Sequence, residues 1–559
     1  MIVKSKAILF QLCLLISVMI ISSCNRNKVE QIKHIPKDAT LVLAINPMSF
    51  YDKMKNNKGE IDSLINSFVD KMANSDSVKQ QGELAKEAFD FKKSVYFFIK
   101  ASNSIAEGKS ISGATIIPLK NKDKFVAFLK STNPLLNISE ETGFSFTQSN
   151  KLVAGWNKDI AIILSSGNYA EETANKASLE SLFNLKESES IASDDKFLKS
   201  FDAKSDISFY TNSSQSVSAF SMLALTKASD LVKDVYSAGT LNFNNGSIDI
   251  NLTTYPNSTL LDLVKKNPAA KLNGESLQNY PGQPEGIIDF SINIKQLISI
   301  LNYMGVDQMI NPFLQKQNLS LDDIAAAFKG EIAFAASSFR IEQKQSPYYN
   351  ATVSSPQFNY LLCIPVADKK AYDKIISAIY GADNALFVNK NGQYVPATIA
   401  QSGQGFLVND KYLLLASSQS LIDSFDNAKG KIIWPEGAEK NIKGKTSYFY
   451  GDLQNILSAI PATGGSDSSV IALSKNTFKE FDAWGNDLKG NKFTGEAHLY
   501  LQNTKENSLI TLGKYFQQLK SYEDKYKNAA LAADSLNTPS ADDNMNTNIP
   551  VPPSIDTSK

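Results

Sequence analysis

Short apolar-polar alternations recur along the chain, and they fall in the same order twice. Thr40-Leu41-Val42-Leu43-Ala44-Ile45-Asn46 returns as Gly286-Ile287-Ile288-Asp289-Phe290-Ser291-Ile292-Asn293, with Asn46 and Asn293 247 positions apart. Residues 65–71 reappear as 310–316, 245 positions on. A third pair, Ala114-Thr115-Ile116-Ile117-Pro118-Leu119 and Leu361-Leu362-Cys363-Ile364-Pro365-Val366, is again offset by 247. Period-two runs of this length predict strands. After the third pair the period changes. Asn121 and Asp368 stand where an N-cap would satisfy first-turn amides. Phe125, Phe128 and Leu129, mirrored by Tyr372, Ile375 and Ile376, then put three apolar side chains on one helix face directed at a sheet.

Three more blocks follow in the same order. Residues 153–166 and 406–418 read as hairpins turned by Asn157-Lys158-Asp159 and Asn409-Asp410-Lys411. A strand over 207–210 with a helix over 217–223 matches a strand over 447–450 with a helix over 453–460. Asn245-Gly246 opens a strand over 248–252, and Thr494-Gly495 opens one over 497–501. The pattern predicts an α+β fold made by tandem duplication: two similar halves, each a mostly antiparallel sheet with helices packed on it. The halves span 36–270 and 271–521. Beyond residue 522 the composition turns to Asn, Asp, Ser, Pro and Ala, which predicts a disordered tail over 522–559.

The first 23 residues belong to neither half. Lys4 and Lys6 precede an apolar run over 7–21, whose helical rise of about 22 Å falls short of a bilayer core of about 30 Å. The run therefore reads as a secretory signal over 1–23. It ends in Ile21-Ser22-Ser23-Cys24, a bacterial lipobox pattern: small residues admit the peptidase, and the Cys24 thiol takes up diacylglycerol. Residues 24–35 read as a tether, so the membrane is the expected partner, reached through lipid on Cys24.

Charge and residue counts narrow the chemistry. Lys plus Arg and Asp plus Glu both total 57, without the basic excess of a nucleic-acid binder. Of three cysteines, Cys13 leaves with the signal and Cys24 carries lipid, leaving Cys363 without an internal disulfide partner. Cys363 aligns with Ile116 inside an apolar run and reads as a small buried hydrophobe. His498 aligns with Asp249, opposite the apolar set Ala497, Leu499 and Leu501, and reads as a solvent-facing strand histidine rather than a general base. His34 falls in the tether with no evident partner. Two histidines and one thiol make no zinc ligand set.

Gly437 to Gly444-Lys445-Thr446 has six residues between its glycines where a P-loop has four, and it precedes its strand. Gly403-Gln404-Gly405 lacks the third glycine of a dinucleotide fingerprint. Asp322-Asp323 reads as first-turn acid on a helix. Trp156, Trp434 and Trp484 read as core or rim. No catalytic, cofactor-binding or metal-binding residue is therefore assigned, and the chain is expected not to be an enzyme.

With its lipobox, its opening Ile35-Pro36-Lys37-Asp38-Ala39 and its length, the chain resembles a family of uncharacterised Bacteroidota lipoproteins classed as a domain of unknown function. The resemblance covers nearly the whole mature chain and supplies a compartment but no activity. In such lipoproteins an acidic cluster after the lipidated cysteine accompanies surface export. Asn25-Arg26-Asn27-Lys28 is not one, which places the protein on the periplasmic face of the outer membrane, with the cell surface as the alternative. Three functions stay open: a non-catalytic scaffold or binding protein with an envelope partner, a carrier or sensor of an apolar or glycan ligand in a groove between the halves, and a carboxylate-based hydrolase.

Overall fold

A computed structural model describes residues 30–54, 77–100, 112–149, 152–164, 172–202, 204–213, 227–345, 352–382, 386–390, 393–460 and 466–537. The expected signal, Cys24 and the repeat blocks over 65–71 and 217–223 lie outside the described residues. The fold is α+β, dominated by one antiparallel sheet. The first half supplies β1 (Leu41–Ile45), β2 (Val95–Lys100), β3 (Ser112–Pro118), β4 (Ser139–Glu141), β5 (Phe144–Ser149), β6 (Leu152–Trp156), β7 (Ile160–Leu164), β8 (Ile207–Asn212), β9 (Tyr236–Asn244) and β10 (Ser247–Tyr255). The second supplies β11 (Gly286–Ser291), β12 (Glu331–Gln345), β13 (Thr352–Pro365), β14 (Phe387–Lys390), β15 (Gln393–Pro396), β16 (Gly405–Val408), β17 (Tyr412–Ala416), β18 (Ser447–Gly451), β19 (Phe478–Gly485) and β20 (Phe493–Leu501). Of these, β14 and β15 form a separate ribbon.

Hydrogen-bonded neighbours run β4-β5-β6-β7-β3-β2-β1-β8-β9-β10 in the first half. They run β16-β17-β13-β12-β11-β18-β19-β20 in the second. From β6 and β16 onward the two orders are the same. The halves join where β10 pairs antiparallel with β20, through Ile248↔Leu499, Asp249↔His498 and Ile250↔Ala497.

Local chemistry sets many element ends. Asn121 Oδ1 accepts from Lys124 N at 3.0 Å, and Asp368 Oδ1 from Lys370 N at 2.8 Å, so both expected N-caps form. The paired hairpins turn alike: Asn157 Oδ1 accepts from Asp159 N at 2.8 Å, and Asn409 Oδ1 from Lys411 N at 2.8 Å. Asn245-Gly246 makes the two-residue turn between β9 and β10, with Gly246 at φ +71 where a glycine costs least. Thr494-Gly495 does not open a strand. Gly495 sits inside β20 opposite Gly485 and Leu252, and the turn lies earlier, at Gly490 and Asn491.

One sheet face is covered by two cores. Val42, Ala44, Tyr96, Ile116, Ile162 and Tyr210 pack under Ile191, Phe197 and Leu179. Ile287, Ala333, Cys363, Leu414 and Tyr448 pack under Leu277, Ile422, Phe425 and Ile442. Ile32 and Ile35 are buried in the first core, so residues 30–35 are not part of a tether; Glu30–His34 is a 3-10 turn whose apolar spacing seals the core edge. His34, expected to be unpartnered, has its Nδ1 3.0 Å from Leu182 O. At the other end, the helix Ser508–Asn537 runs past Ser521 into the segment expected to be disordered.

Candidate functional site: an apolar trough across the sheet

On the opposite face of the sheet, described helices pack on both ends, and Phe50 of the helix Pro47–Met54 packs on Phe243 of β9 with ring centroids 5.6 Å apart. In the first half Phe125 and Leu129 of the helix Lys122–Thr132 pack on Ala154, Trp156 and Ala161 of β6 and β7. In the second, Tyr372 and Ile376 of the helix Lys369–Ala382 pack with Phe406, Val408 and Leu413 of β16 and β17. These are the two helix faces that the sequence directs at a sheet. Between them an apolar row crosses the molecule, one side chain per strand. It begins Val95, Ile45, Ile207, Leu241 and Ile250, passes the seam, and continues Ala497, Ala483, Phe449, Ile288, Phe334 and Leu362. None of these side chains is buried, and Ile45, Phe449 and Ile288 are 39%, 39% and 41% exposed. Ten strand spacings of about 4.8 Å make the row about 48 Å long.

The flanking rows lower the relief of this face. Phe209 lies over Gly239 and Phe481 over Gly451, so closely that a Cβ on either glycine would collide with the ring. Leu252 and Phe481 add further exposed apolar area beside the row. Contiguous apolar surface of this extent is uncommon on soluble proteins and marks binding faces. The halves meet edge to edge along β10–β20, so the apolar surface runs across their junction instead of being enclosed in it.

At the same seam the covered face turns polar. His498 lies opposite Ala497 and Leu499, as expected, but it is not solvent-facing: its side chain is 17% exposed, with Nδ1 3.0 Å from Asp482 Oδ1. Asn441 Nδ2 donates to Asp482 Oδ2 at 3.1 Å, and the imidazole lies 4.8 Å from Trp484 between ring centroids. The hydrogen bond to Asp482 raises the His498 pKa, against burial, with Asp249 and Glu496 adding to the rise. Strand alternation gave the face of His498; the approach of Asp482 from β19 is non-local and left no sequence signal.

Beneath the second half lies a group that the sequence reading did not single out. Asp289 is fully buried, and neither carboxyl oxygen has a hydrogen-bond partner among the described atoms. Burial, with the nearby Glu331 carboxylate, pushes its pKa up to about 8. Burial raises Glu331 as well. The pair meets the electrostatic condition for carboxylate catalysis, but Asp289 sits inside the core, closed to substrate. Cys363, beside Ala333 in the same row, is free and buried, and burial pushes its thiol pKa up, which makes it a poor nucleophile.

The remaining candidates are structural. Asp323 forms a capping box with Ser320 and an ion pair of 2.7 Å with Lys374. Gly437 precedes the short helix Ala438–Ile442 with no strand before it as a P-loop requires, and Gly403 ends the helix Ala397–Ser402. Trp156 is fully buried, while Trp434 and Trp484 pack at the edge of the second core. A pocket of about 500 Å³ between Lys390, Val395, Ile399, Gln404 and Gln419 lies beside β16, away from the seam. Among the described residues no group of three or more His, Cys, Asp or Glu side chains could hold a metal, and no helix is long and apolar enough to cross a membrane.

Fold and surface together define an α+β protein built on a large antiparallel sheet. The chain belongs to the family described as a domain of unknown function (DUF4836), whose model matches residues 32–509 and so takes in both halves. Among curated proteins none matches the chain. Crystal forms IV, III and I of TP0453 are similar in structure at 11%, 12% and 12% identity. Their TM-scores are 0.24, 0.25 and 0.23; each alignment covers 43% of this chain, and 86%, 88% and 87% of the other.

Proposed function

We propose that the protein is a lipid-anchored cell-envelope protein that binds an apolar ligand at the exposed apolar side chains of the sheet and does not convert it. The observation that carries this reading is the unbroken apolar row from Val95 to Leu362, in which Ile45, Ile288 and Phe449 are 39%, 41% and 39% exposed. Apolar side chains that face water cost stability unless something covers them. The lipobox at Cys24 supports a diacylglyceryl anchor, and the absence of an acidic cluster after it supports the periplasmic face of the outer membrane in a Bacteroidota lipoprotein. The non-catalytic reading draws on Asp289 and Cys363, reactive by type but closed off within the core.

Two experiments test it. Cys24→Ala should abolish metabolic labelling with an alkyne fatty acid and release the chain from the membrane fraction; labelling that persists overturns the anchor. The released full-length Cys24→Ala chain should then enhance N-phenyl-1-naphthylamine fluorescence. Adding Ile288→Asp with Phe449→Asp should cut the enhancement at least fivefold without shifting the far-ultraviolet circular dichroism. Equal fluorescence in the folded variant would remove the apolar row as the binding surface. Protease access to an epitope fused after Lys559, in intact and in permeabilised cells, decides between the periplasmic face and the cell surface.

A further inference from the structure

We infer that the seam between the halves is a pH-operated joint, in which a proton on His498 draws β20 against β10. Register supplies the geometry. Asp482 of β19, His498 of β20 and Asp249 of β10 are consecutive cross-strand partners, so their side chains form one row on one face. His498 Nδ1 lies 3.0 Å from Asp482 Oδ1, a contact within the second half. The imidazole packs against the rings of Trp484 and Tyr500, with centroids 4.8 and 5.9 Å away, which keeps it in the row. Asp249 stands across the seam. Its Oδ2 accepts from Asn244 Nδ2 at 2.5 Å, while its Oδ1 is buried with no hydrogen-bond partner among the described atoms.

A neutral imidazole serves Asp482 alone. An imidazolium carries a second N–H and a full positive charge, and Asp249 is the carboxylate beside it with an oxygen to spare. The proton therefore adds attraction between the halves. The surrounding charges favour it. Glu496 on β20 adds to the pull on the proton, as Asp249 does. On β19, Glu480 is neutralised by Lys479 at 2.9 Å, and Lys445 lies over the Trp484 ring at 5.1 Å from its centroid. Burial keeps Tyr448 and Tyr500 protonated and uncharged. The cores stop short of the row on either side: the first reaches Ala238 on β9, and the second reaches Tyr448 and Trp484. Other hydrogen bonds between the halves, such as Asn293 Nδ2 to Pro268 O at 2.8 Å and Asn507 Nδ2 to Phe243 O at 2.9 Å, join groups that do not titrate near neutral pH. They hold while the seam responds.

Hydrogen exchange tests the joint on the full-length chain. Deuterium uptake over 247–255 and 493–501 is followed by mass spectrometry at about pH 5.5 and about pH 8, on either side of histidine's range, and corrected for intrinsic exchange. Protection of both segments should be about fivefold higher at the lower pH, the effect of one added charge-assisted contact. Protection over 95–100 in the first half should not change. His498→Gln keeps a donor for Asp482 but does not titrate, and it should flatten the response. Asp249→Asn should weaken the response and lower the His498 pKa in an NMR titration. Asp289→Asn, which removes the other group titrating in this window, should leave the response in place. Equal protection at the two pH values in the unaltered chain, or a response that survives in His498→Gln, overturns the inference. Should His498→Gln fail to fold, as judged by its urea midpoint, Asp249→Asn decides: an unmoved histidine pKa with unchanged seam protection overturns the inference.

Discussion

The same strand order carries different chemistry in the two halves. Across the covered face of the first, one row of side chains reads Ser208, Ala44, Tyr96, Ile116 and Ile162; across the second it reads Tyr448, Asp289, Ala333, Cys363 and Leu414. The aromatic ring moves from β2 to β18, Ala333 stands in the place of Tyr96, and a carboxyl takes the place of Ala44. Volume is roughly redistributed, as a packed interior demands. Polarity is not. The first core stays apolar at this position, while the second keeps an acid with no hydrogen-bond partner among the described atoms. A fold can thus be held in common while the tolerance of its core diverges.

Exchanging the two residues should break that comparison hardest. Ala44→Asp buries a carboxyl where nothing has adapted to it and should cost about 3–5 kcal/mol, the penalty of an uncompensated buried charge. Asp289→Ala removes an unpartnered group and should be neutral or stabilising by about 1 kcal/mol at pH 7. Urea unfolding of both variants measures the pair. If Asp289→Ala instead costs several kcal/mol, the acid has partners that the covered core supplies and the asymmetry is only one of shape.

The pH dependence is of comparable total size but spread over several pH units. Asp289 has a folded pKa near 8, above its ordinary value of 3.8, so its contribution to stability is full below pH 4 and is lost as the pH rises toward 8. Unfolding free energy should fall across that window by up to about 1.4 kcal/mol per pH unit from this group, and Asp289→Asn should remove the slope. The seam gives a smaller effect in a narrower window. His498 is raised above 6.5 by its bond to Asp482, so it stabilises below pH 6.5 and the gain fades as the pH rises through the folded value. Asp482→Asn should lower the His498 pKa in an NMR titration and cost about 1 kcal/mol at pH 6. An unmoved histidine would mean that Asp249, its direct cross-strand neighbour, sets the proton affinity.

How far the sequence foretold this molecule depends on how local each signal is. The caps at Asn121 and Asp368 and the turns at Asn157 and Asn409 involve residues a few positions apart, and they form as read. The face of His498 followed from alternation, but its partner Asp482 comes from another strand. The exposure of part of the apolar row was illegible for a different reason. Leu41-Val42-Leu43-Ala44-Ile45 is apolar at every position, and such a run reads as a strand buried on both faces. Here Val42 and Ala44 are buried and Ile45 is exposed. Periodicity identifies a polar face; it cannot separate a covered apolar face from an open one.

That last contrast can be measured on two adjacent residues. Ile287 is fully buried under the second core, and Ile288, one position on and pointing the other way, is among the most exposed large side chains of the sheet. Ile287→Ala removes packed atoms and should cost about 2–5 kcal/mol. Ile288→Ala loses few contacts in the unliganded chain and should stay within about 0.5 kcal/mol. Both are read from urea midpoints of the ligand-free chain. Repeating the measurement with saturating N-phenyl-1-naphthylamine sharpens the difference, because a ligand held only by the folded state adds stability in proportion to its affinity. The added stability should survive in Ile287→Ala and shrink in Ile288→Ala. Equal costs for the two substitutions without ligand would mean that the second face is covered after all.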